Sequence, residues 1–527
     1  MSTAAAEQES LRLPVRPGPA RFLVLFAVFL CASCGMVYEL ALVALGSFLL
    51  GDTIVQASIV LSVMVFAMGV GSILTKRLTH LAAVSFALIE ASLGIIGGLS
   101  VLALYLAFAY LDLYTAAMIV IAFVIGVLIG AEIPLLMELI QRIRAQRASA
   151  AVADLFAVDY VGGLIGGLAF PFLLLPLLGL PRGVLAVGIV NAVTGILIVV
   201  WLFRHELSRR VRIGLTLLLV LIVGVLTAAW VYTDAIEVTS RQKIYRDPIV
   251  TAERSAYQDI VVTRHPRTGD TRLFLNGDLQ FASNDEHRYH ESLVHPVLDG
   301  PRTRVLVLGG GDGMALREIL RYPGVEEVTL VDLDPAVVEL ARTDEAFTEF
   351  NRQSFADHRV DYVPADAFTW LREENEKAYD VVIADLPDPD DVSTSKLYTI
   401  EFYGLVERAM NPGARLVVQA GSPFFAPEAY WGIGESIAQA GFATTPYHVD
   451  VPSFGDWGYF LAATGEAPEI GVPADAPDDL RFLTPEVARA SLVFPPDRDR
   501  DSVGAVEPSS LLHPRVIDQQ RGAWVGY

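Results

Sequence analysis

Residues 304–313 read Arg304-Val305-Leu306-Val307-Leu308-Gly309-Gly310-Gly311-Asp312-Gly313. A short apolar run stopped by glycines has the pattern of a buried strand. The glycines allow backbone to approach a ligand closely where the next helix starts, and the free N–H groups of that first turn face the same way. By itself such a loop is a weak signal. Two acids further along the chain give it meaning. Asp332 closes the next apolar run, 23 residues after Gly309, where a carboxylate can accept both hydroxyls of a ribose. A third run, Arg359 to Val363, leads to Asp366-Ala367, a pair able to hold an adenine edge with a carboxylate and a backbone N–H. A dinucleotide site would keep G-x-G-x-x-G with no acid between the glycines. The layout therefore favours a nucleoside of the adenosylmethionine type.

Outward from this core the periodicity continues: strands at Arg304–Leu308, Glu327–Val331, Arg359–Val363, Asp380–Ala384 and Arg415–Gln419 alternate with helices, and an antiparallel pair closes toward Ala462. Such alternation predicts a doubly wound, Rossmann-like sheet with its ligand at the carboxyl ends of the strands. Upstream, Asp259–Arg264, Thr271–Leu275 and a strand through Phe281 alternate in polarity, and Asn276-Gly277 between two of them is a strong hairpin signal. A small β-hairpin region thus precedes the α/β domain.

The first part of the chain belongs to a different solvent. Apolar runs near 22–50, 53–75, 81–110, 113–140, 152–178, 184–202 and 213–232 are each long enough to cross a bilayer, which takes about 20 residues. Seven spans are expected. Basic residues cluster on one side of them (Arg12, Arg16, Arg21, Lys76, Arg77, Arg142, Arg144, Arg147, Arg204, Arg209, Arg210, Arg212) against Arg182 on the other, which predicts a cytoplasmic N-terminus in a multi-pass protein of the plasma (inner) membrane. Seven crossings would carry the second half to the outer face, whereas adenosyl cofactors are made in the cytosol, so its side is left open. Glu39, Glu90, Glu132 and Asp159 lie within apolar sequence and either line a path for a cation or bond between helices. Gly162, Gly163, Gly166 and Gly167 signal close helix contact. Cys31 and Cys34, the two cysteines, sit in an apolar run as small hydrophobes and not as a redox or metal pair. The net charge of −21 lies almost wholly beyond residue 232 and argues against nucleic acid as a partner. The resulting division is 1–21 N-terminal segment, 22–232 membrane domain, 233–300 connector and β-region, 301–465 Rossmann-like domain and 466–527 a Pro- and Asp-rich, partly ordered tail.

Several segments in order then carry a resemblance: Tyr257-Gln258-Asp259-Ile260, Leu275 to Gln280, Asp285-Glu286-His287-Arg288-Tyr289-His290-Glu291, Gly309 to Gly313, Asp385-Leu386-Pro387-Asp388-Pro389, and Leu397-Tyr398 through Glu401-Phe402-Tyr403. Together they resemble the spermidine synthases, the polyamine aminopropyltransferases. Tyr38-Glu39-Leu40 and Gly130-Ala131-Glu132-Ile133-Pro134 are similar to membrane-embedded members. The resemblance implies transfer of an aminopropyl group from decarboxylated S-adenosylmethionine, a co-substrate, to a diamine such as putrescine, with no prosthetic group and no metal. It implies Asp385 as proton acceptor and Asp388 as the carboxylate orienting the amine. Gln280, Tyr289 and His290 would shape the substrate groove, and Gln258, Gly309, Gly311, Asp332, Asp366 and Ala367 would contact the cofactor. Asp312 would face the aminopropyl amine and repel the carboxylate of ordinary adenosylmethionine. A homodimer is expected on the same ground.

Three positions depart from the family pattern. Pro389 is followed by Asp390, Asp391 and Val392 instead of x-G-P, Gly421 stands where an acid is usual after Gln419-Ala420, and Phe454 where Tyr is common. These bear on which amine is taken. Asp390 and Asp391 either compensate for the missing acid or form a solvated loop. An amine N-methyltransferase, or a membrane sensor or transporter that binds polyamine without turnover, are the competing readings. Asp312 with the pair Asp385 and Asp388 weighs against the methyltransferase, and Asp385 and Asp388 with the hydrophobic cofactor loop weigh against binding without turnover.

Overall fold

The computed structural model describes residues 14–50, 53–111, 113–143, 148–373 and 378–520, and the chain divides into two compact units, Met1–Arg246 and Asp247–Tyr527.

The first unit is helical: α1 Pro17–Leu50, α2 Thr53–Leu74, α3 Ala82–Leu111, α4 Tyr114–Ile143, α5 Ala148–Ala169, α6 Leu175–Leu202 and α7 Arg209–Ile244. Among the described residues, six helical stretches are long and apolar enough to cross a membrane, and the fifth, Val152–Leu202, is 51 residues long. That stretch contains a π-helical turn at Phe170–Leu174 and a non-helical residue, Gly179, at φ 71° and ψ 171°, so its two halves are separate rods. This is where sequence periodicity places two spans and helix length places one. The last helix continues to Ile244, beyond the expected end at 232, because nothing after the apolar run breaks it. Gly162 and Gly166 bring α5 against the backbone of Phe29 and Ser33 on α1, and Ser33 Oγ donates to the Gly162 carbonyl at 2.9 Å.

The second unit opens with a four-stranded antiparallel sheet, β1 Ile249–Arg254, β2 Asp259–Arg264, β3 Thr271–Leu275 and β4 Asp278–Ala282 in that order. The turn between β3 and β4 has Asn276 at φ 52° and Gly277 at φ 97°, the two positive angles that an Asn-Gly hairpin supplies. After α8, Glu286–Val294, come β5 Arg304–Gly309, α9 Met314–Ile319, β6 Glu327–Asp332, α10 Pro335–Thr343, α11 Glu345–Phe350, β7 Val360–Pro364, α12 Ala367–Glu373, β8 Tyr379–Asp385, α13 Val392–Ser395, α14 Ile400–Ala409, β9 Met410–Gln419, α15 Pro427–Gln439, β10 Phe442–Val451 and β11 Gly455–Thr464. The strands form one sheet in the order β10-β11-β9-β8-β5-β6-β7. β5 pairs in parallel with both β6 and β8, so the order reverses there, which is where open α/β sheets leave a crevice. The sheet core is aliphatic on both faces, with Val305, Leu306, Val307 and Leu308 fully buried.

The segment beyond Thr464, expected to be only partly ordered, lies against this domain through its described residues. Glu291, buried on α8, accepts the N–H groups of Arg481, Phe482 and Leu483, each at 2.8 Å. Helices α16, Pro485–Ala490, and α17, Arg515–Gln520, bury Ala488 and Val516. Its composition concealed this because the anchoring groups are backbone N–H donors, which any sequence carries.

Candidate active site

The glycine loop is built by its contact with β8. Gly309 and Gly310 take φ of 81° and 69°, and the Gly310 N–H donates to the Asp385 carbonyl at 3.1 Å. A Cβ on Gly309 would overlap that carbonyl. The loop thereby lies against the end of β8, and the side chain of Asp385 sits beside it.

Asp385 accepts the Tyr289 hydroxyl proton on Oδ1 at 2.6 Å. Burial raises its pKa to about 6; the positive charge on His290 and the bond from Tyr289 pull back, while the charge of Asp312 adds to the rise. Asp388, three residues on, is raised to about 7 by burial, opposed by a hydrogen bond from Gln419 and helped by Asp390 and Asp278. Gln419 Nε2 reaches Asp388 Oδ1 at 3.4 Å and the Tyr398 hydroxyl at 2.8 Å. It also bonds the Leu386 carbonyl, so the loop after β8 is held from β9. Gly421 faces the Asp388 carboxylate, leaving open the space that a side chain there would take.

His290, on α8, sets its Nδ1 against the Glu286 carbonyl at 2.8 Å and Glu286 Oε2 at 3.1 Å. Its Nε2 stands 4.0 Å from Asp312 Oδ2. Burial alone would lower the imidazole pKa, but the bond to Glu286 and the charges of Asp312, Glu286 and Asp385 carry it to about 9, so the ring is cationic at neutral pH. Asp312, one residue before the Gly313 cap of α9, also accepts the Met314 N–H on Oδ1 at 2.9 Å. The ring thus lies among three carboxyl groups, those of Glu286, Asp312 and Asp385.

Asp332 uses Oδ2 and Oδ1 to accept the N–H groups of Gly311 and Asp334, both at 3.0 Å. Burial raises its pKa to about 6 against those bonds, and each oxygen keeps a second lone pair for a hydroxyl donor. Gln258 Nε2 is tied to Asp334 Oδ2 at 2.9 Å, on the Asp332 side of the sheet. Asp366 is engaged already: Oδ1 accepts from Thr369 N and Oγ1, each at 2.9 Å, and Oδ2 pairs with Lys396 at 2.7 Å. Burial would raise it, yet Lys396 and Thr369 hold it below the ordinary carboxylate range. Ala367 is buried at the start of α12. Gln280 is half-buried on β4, and among the described residues it makes no hydrogen bond to the Asp385 group.

Asp390 and Asp391 separate in role. Asp391 caps α13, accepting Ser393 N at 2.6 Å and Thr394 N at 2.8 Å, while the charge of Asp390 acts on Asp388 and Asp278. Phe454 packs beside Tyr289 with ring centroids 6.0 Å apart and the rings tilted by 44°. Sequence reading missed the support behind this site. Arg317 on α9 clamps Glu286 through two contacts, 3.1 Å and 2.8 Å, and Asn351 donates to the Asp312 carbonyl at 3.1 Å. Neither residue sits in a motif; the one available hint was the charged pair Arg317-Glu318 inside an otherwise apolar α9.

The Spermine/spermidine synthase domain profile matches residues 286–472, which takes in α8 and the strands β5 to β11 with their loops and leaves out β1 to β4. Polyamine aminopropyltransferase 1 of Streptomyces coelicolor is 56% identical over 512 residues, 96% of each chain. The polyamine aminopropyltransferase of Mycobacterium tuberculosis is 48% identical over 515 residues, 96% of this chain and 97% of that one. A crystal structure of spermidine synthase in complex with the transition-state analogue AdoDATO shares 27% identity, covering 49% of this chain and 88% of that chain, with a TM-score of 0.45. Identity at this level runs through both units, and the chain belongs to the spermidine synthase family of polyamine aminopropyltransferases.

Proposed function

We propose that the protein transfers the aminopropyl group of decarboxylated S-adenosylmethionine to a diamine such as putrescine, forming spermidine and methylthioadenosine. The observation that carries this reading is the buried Asp385, bonded to Tyr289 beside a glycine loop and three residues from a second buried acid, Asp388. A diamine is an ammonium at neutral pH, with a pKa near that of Lys, about 10.4. Asp388 holds the cation; Asp385 takes a proton from the attacking nitrogen. The nitrogen lone pair then forms the N–C bond as the C–S bond breaks, and the sulfonium leaves as a neutral thioether. No general acid is needed, so positioning and one base suffice. Gln258, Gly309, Gly311, Asp332, Asp366 and Ala367 hold the adenosyl moiety in this reading. Asp312 takes the aminopropyl ammonium, and Gln280, Tyr289 and His290 line the groove.

The N-terminal unit lies in a bilayer with its amino end cytoplasmic in this reading, which the long apolar helices and the one-sided basic residues support. The break at Gly179 favours seven crossings. A homodimer is expected for the catalytic unit. The deciding experiment incubates detergent-solubilised protein with decarboxylated S-adenosylmethionine and a panel of diamines, with methylthioadenosine and new polyamines read by mass spectrometry. Amine-dependent product that vanishes in Asp385→Asn supports the reading, and ligand binding without product overturns it in favour of a binding protein.

A further inference from the structure

Four helices of the first unit converge on a polar centre that the transferase chemistry does not use. Ligand atoms of Cys31 on α1, Glu90 on α3 and Glu132 on α4 all lie within 4.8 Å of one another, at exposures of 2%, 0% and 5%. Two further polar side chains belong to it. Tyr38, seven residues after Cys31 and hence on the same face of α1, is 0% exposed, and Asn191 on α6 is 1% exposed. Asn191 Nδ2 donates to the Glu90 carbonyl at 3.3 Å, which brings its amide head to this level of the bundle. Both carboxylate oxygens of Glu90, Oε1 of Glu132, the Tyr38 hydroxyl and Oδ1 of Asn191 have no hydrogen-bond partner among the described residues. Cys34 is not part of the set, since its thiol points to the Val187 carbonyl at 3.8 Å. The cysteine spacing thus misleads: one cysteine, with two distant acids, makes the group.

Buried polar atoms in native proteins are nearly always satisfied, and adjacent carboxylates away from water require a cation or protons. Five unsatisfied atoms, four of them pure acceptors, together with a thiol, ask for a compact cation. The surroundings are tight. A Cβ on Gly195 would overlap Cβ and Cγ of Glu90, and one on Gly97 would press into the Tyr38 ring, so the packing suits an ion better than a methylene chain. A thiolate selects zinc-like ions over magnesium or calcium, and bonds of about 2.0–2.3 Å hold ligand atoms up to roughly twice that distance apart, close to the spacing of this trio. We propose that Cys31, Glu90 and Glu132, completed by Asn191 or Tyr38, bind a divalent transition metal of the zinc class that ties α1, α3, α4 and α6 together. Binding displaces the thiol proton to solvent.

The full-length chain in detergent, stripped with chelator, is titrated with ZnCl2 and with CoCl2. Zinc is expected to raise Tm, and cobalt to give the thiolate charge-transfer band. Cys31→Ala removes that band, and Cys31→Ala and Glu132→Gln, each checked for monodispersity by size exclusion, weaken zinc binding by about 10-fold or more. The Cys31→Ala variant keeps the inference testable if the acidic variant does not fold. Absence of a zinc-dependent Tm shift in the parent chain, a cobalt band that survives Cys31→Ala, or Glu90-dependent stabilisation by putrescine in place of zinc would each overturn it.

Discussion

At the scale of single residues, the site depends on keeping a carboxylate basic while it is buried. Asp385 is raised to about 6, chiefly by burial, so it is ionised at neutral pH yet a better proton acceptor than an exposed aspartate. kcat/KM is expected to rise with pH through about 6 to about 7 and then level as Asp385 and Asp388 lose their protons. Asp385→Asn should lower kcat by about 10²- to 10⁴-fold while adenosyl ligand binding, measured by calorimetry, persists. Tyr289→Phe removes a bond that favours the ionised form, and its acid limb should move to higher pH; an unmoved limb would show that Tyr289 only packs. Asp385 stood out in sequence through the resemblance carried by Asp385-Leu386-Pro387-Asp388-Pro389, since acids and prolines in a loop also serve as turns and caps. His290 was only half legible, since nothing local reveals that its other neighbour, Asp312, comes from a distant loop.

Elements hold these residues through charges that local sequence cannot pair. α8 and α9 are joined by Glu286 and Arg317, 31 positions apart, with Arg317 also bound to Glu318 at 2.8 Å. Both members of the Glu286–Arg317 pair are buried. Arg317→Met leaves the buried Glu286 with His290 as its remaining cationic partner, and breaking the buried pair should cost about 3–5 kcal/mol in unfolding free energy. Burial would raise Glu286, but His290 and Arg317 hold it near about 2. Its folded pKa is thus below the unfolded one, so the stability it provides is full above the ordinary glutamate range and drains away as pH falls toward 2. Acid unfolding followed by circular dichroism should lose the Arg317 share of this component in Arg317→Met, while the share of His290 remains. The sheet strands were readable because five apolar runs alternate with helices. β1 was not, for it is an edge strand whose residues are mostly exposed, so no buried face imposes a period on its sequence.

For the molecule as a whole, composition separated an apolar half from an acidic half, but it gave no sign that the segment beyond Thr464 packs on the domain. The described residues beyond Thr464 bury Leu483, Ala488 and Val516, and His448 on the edge strand β10 donates its N–H to the Ser491 carbonyl at 3.0 Å. Ending the chain after Gly465 removes this cover; each fully buried Leu or Val contributes about 1.5–3 kcal/mol. The truncated protein should show a lower Tm and aggregate on heating, read by light scattering, and an unchanged Tm would refute a structural role for the segment. A second expectation concerns the amino end: an N-terminal tag should resist protease in intact spheroplasts and be cut only after lysis, as the one-sided basic residues require. The three N–H groups that Glu291 accepts also impose an order in time. Domains fold as units while synthesis proceeds from the amino end, yet this one waits for residues near 480 before a carboxylate at its centre is satisfied. A chain released early, with the apolar half already made, would present an open sheet edge and an unquenched anion, a chemical sign of incompleteness available to proteases before any catalytic defect arises.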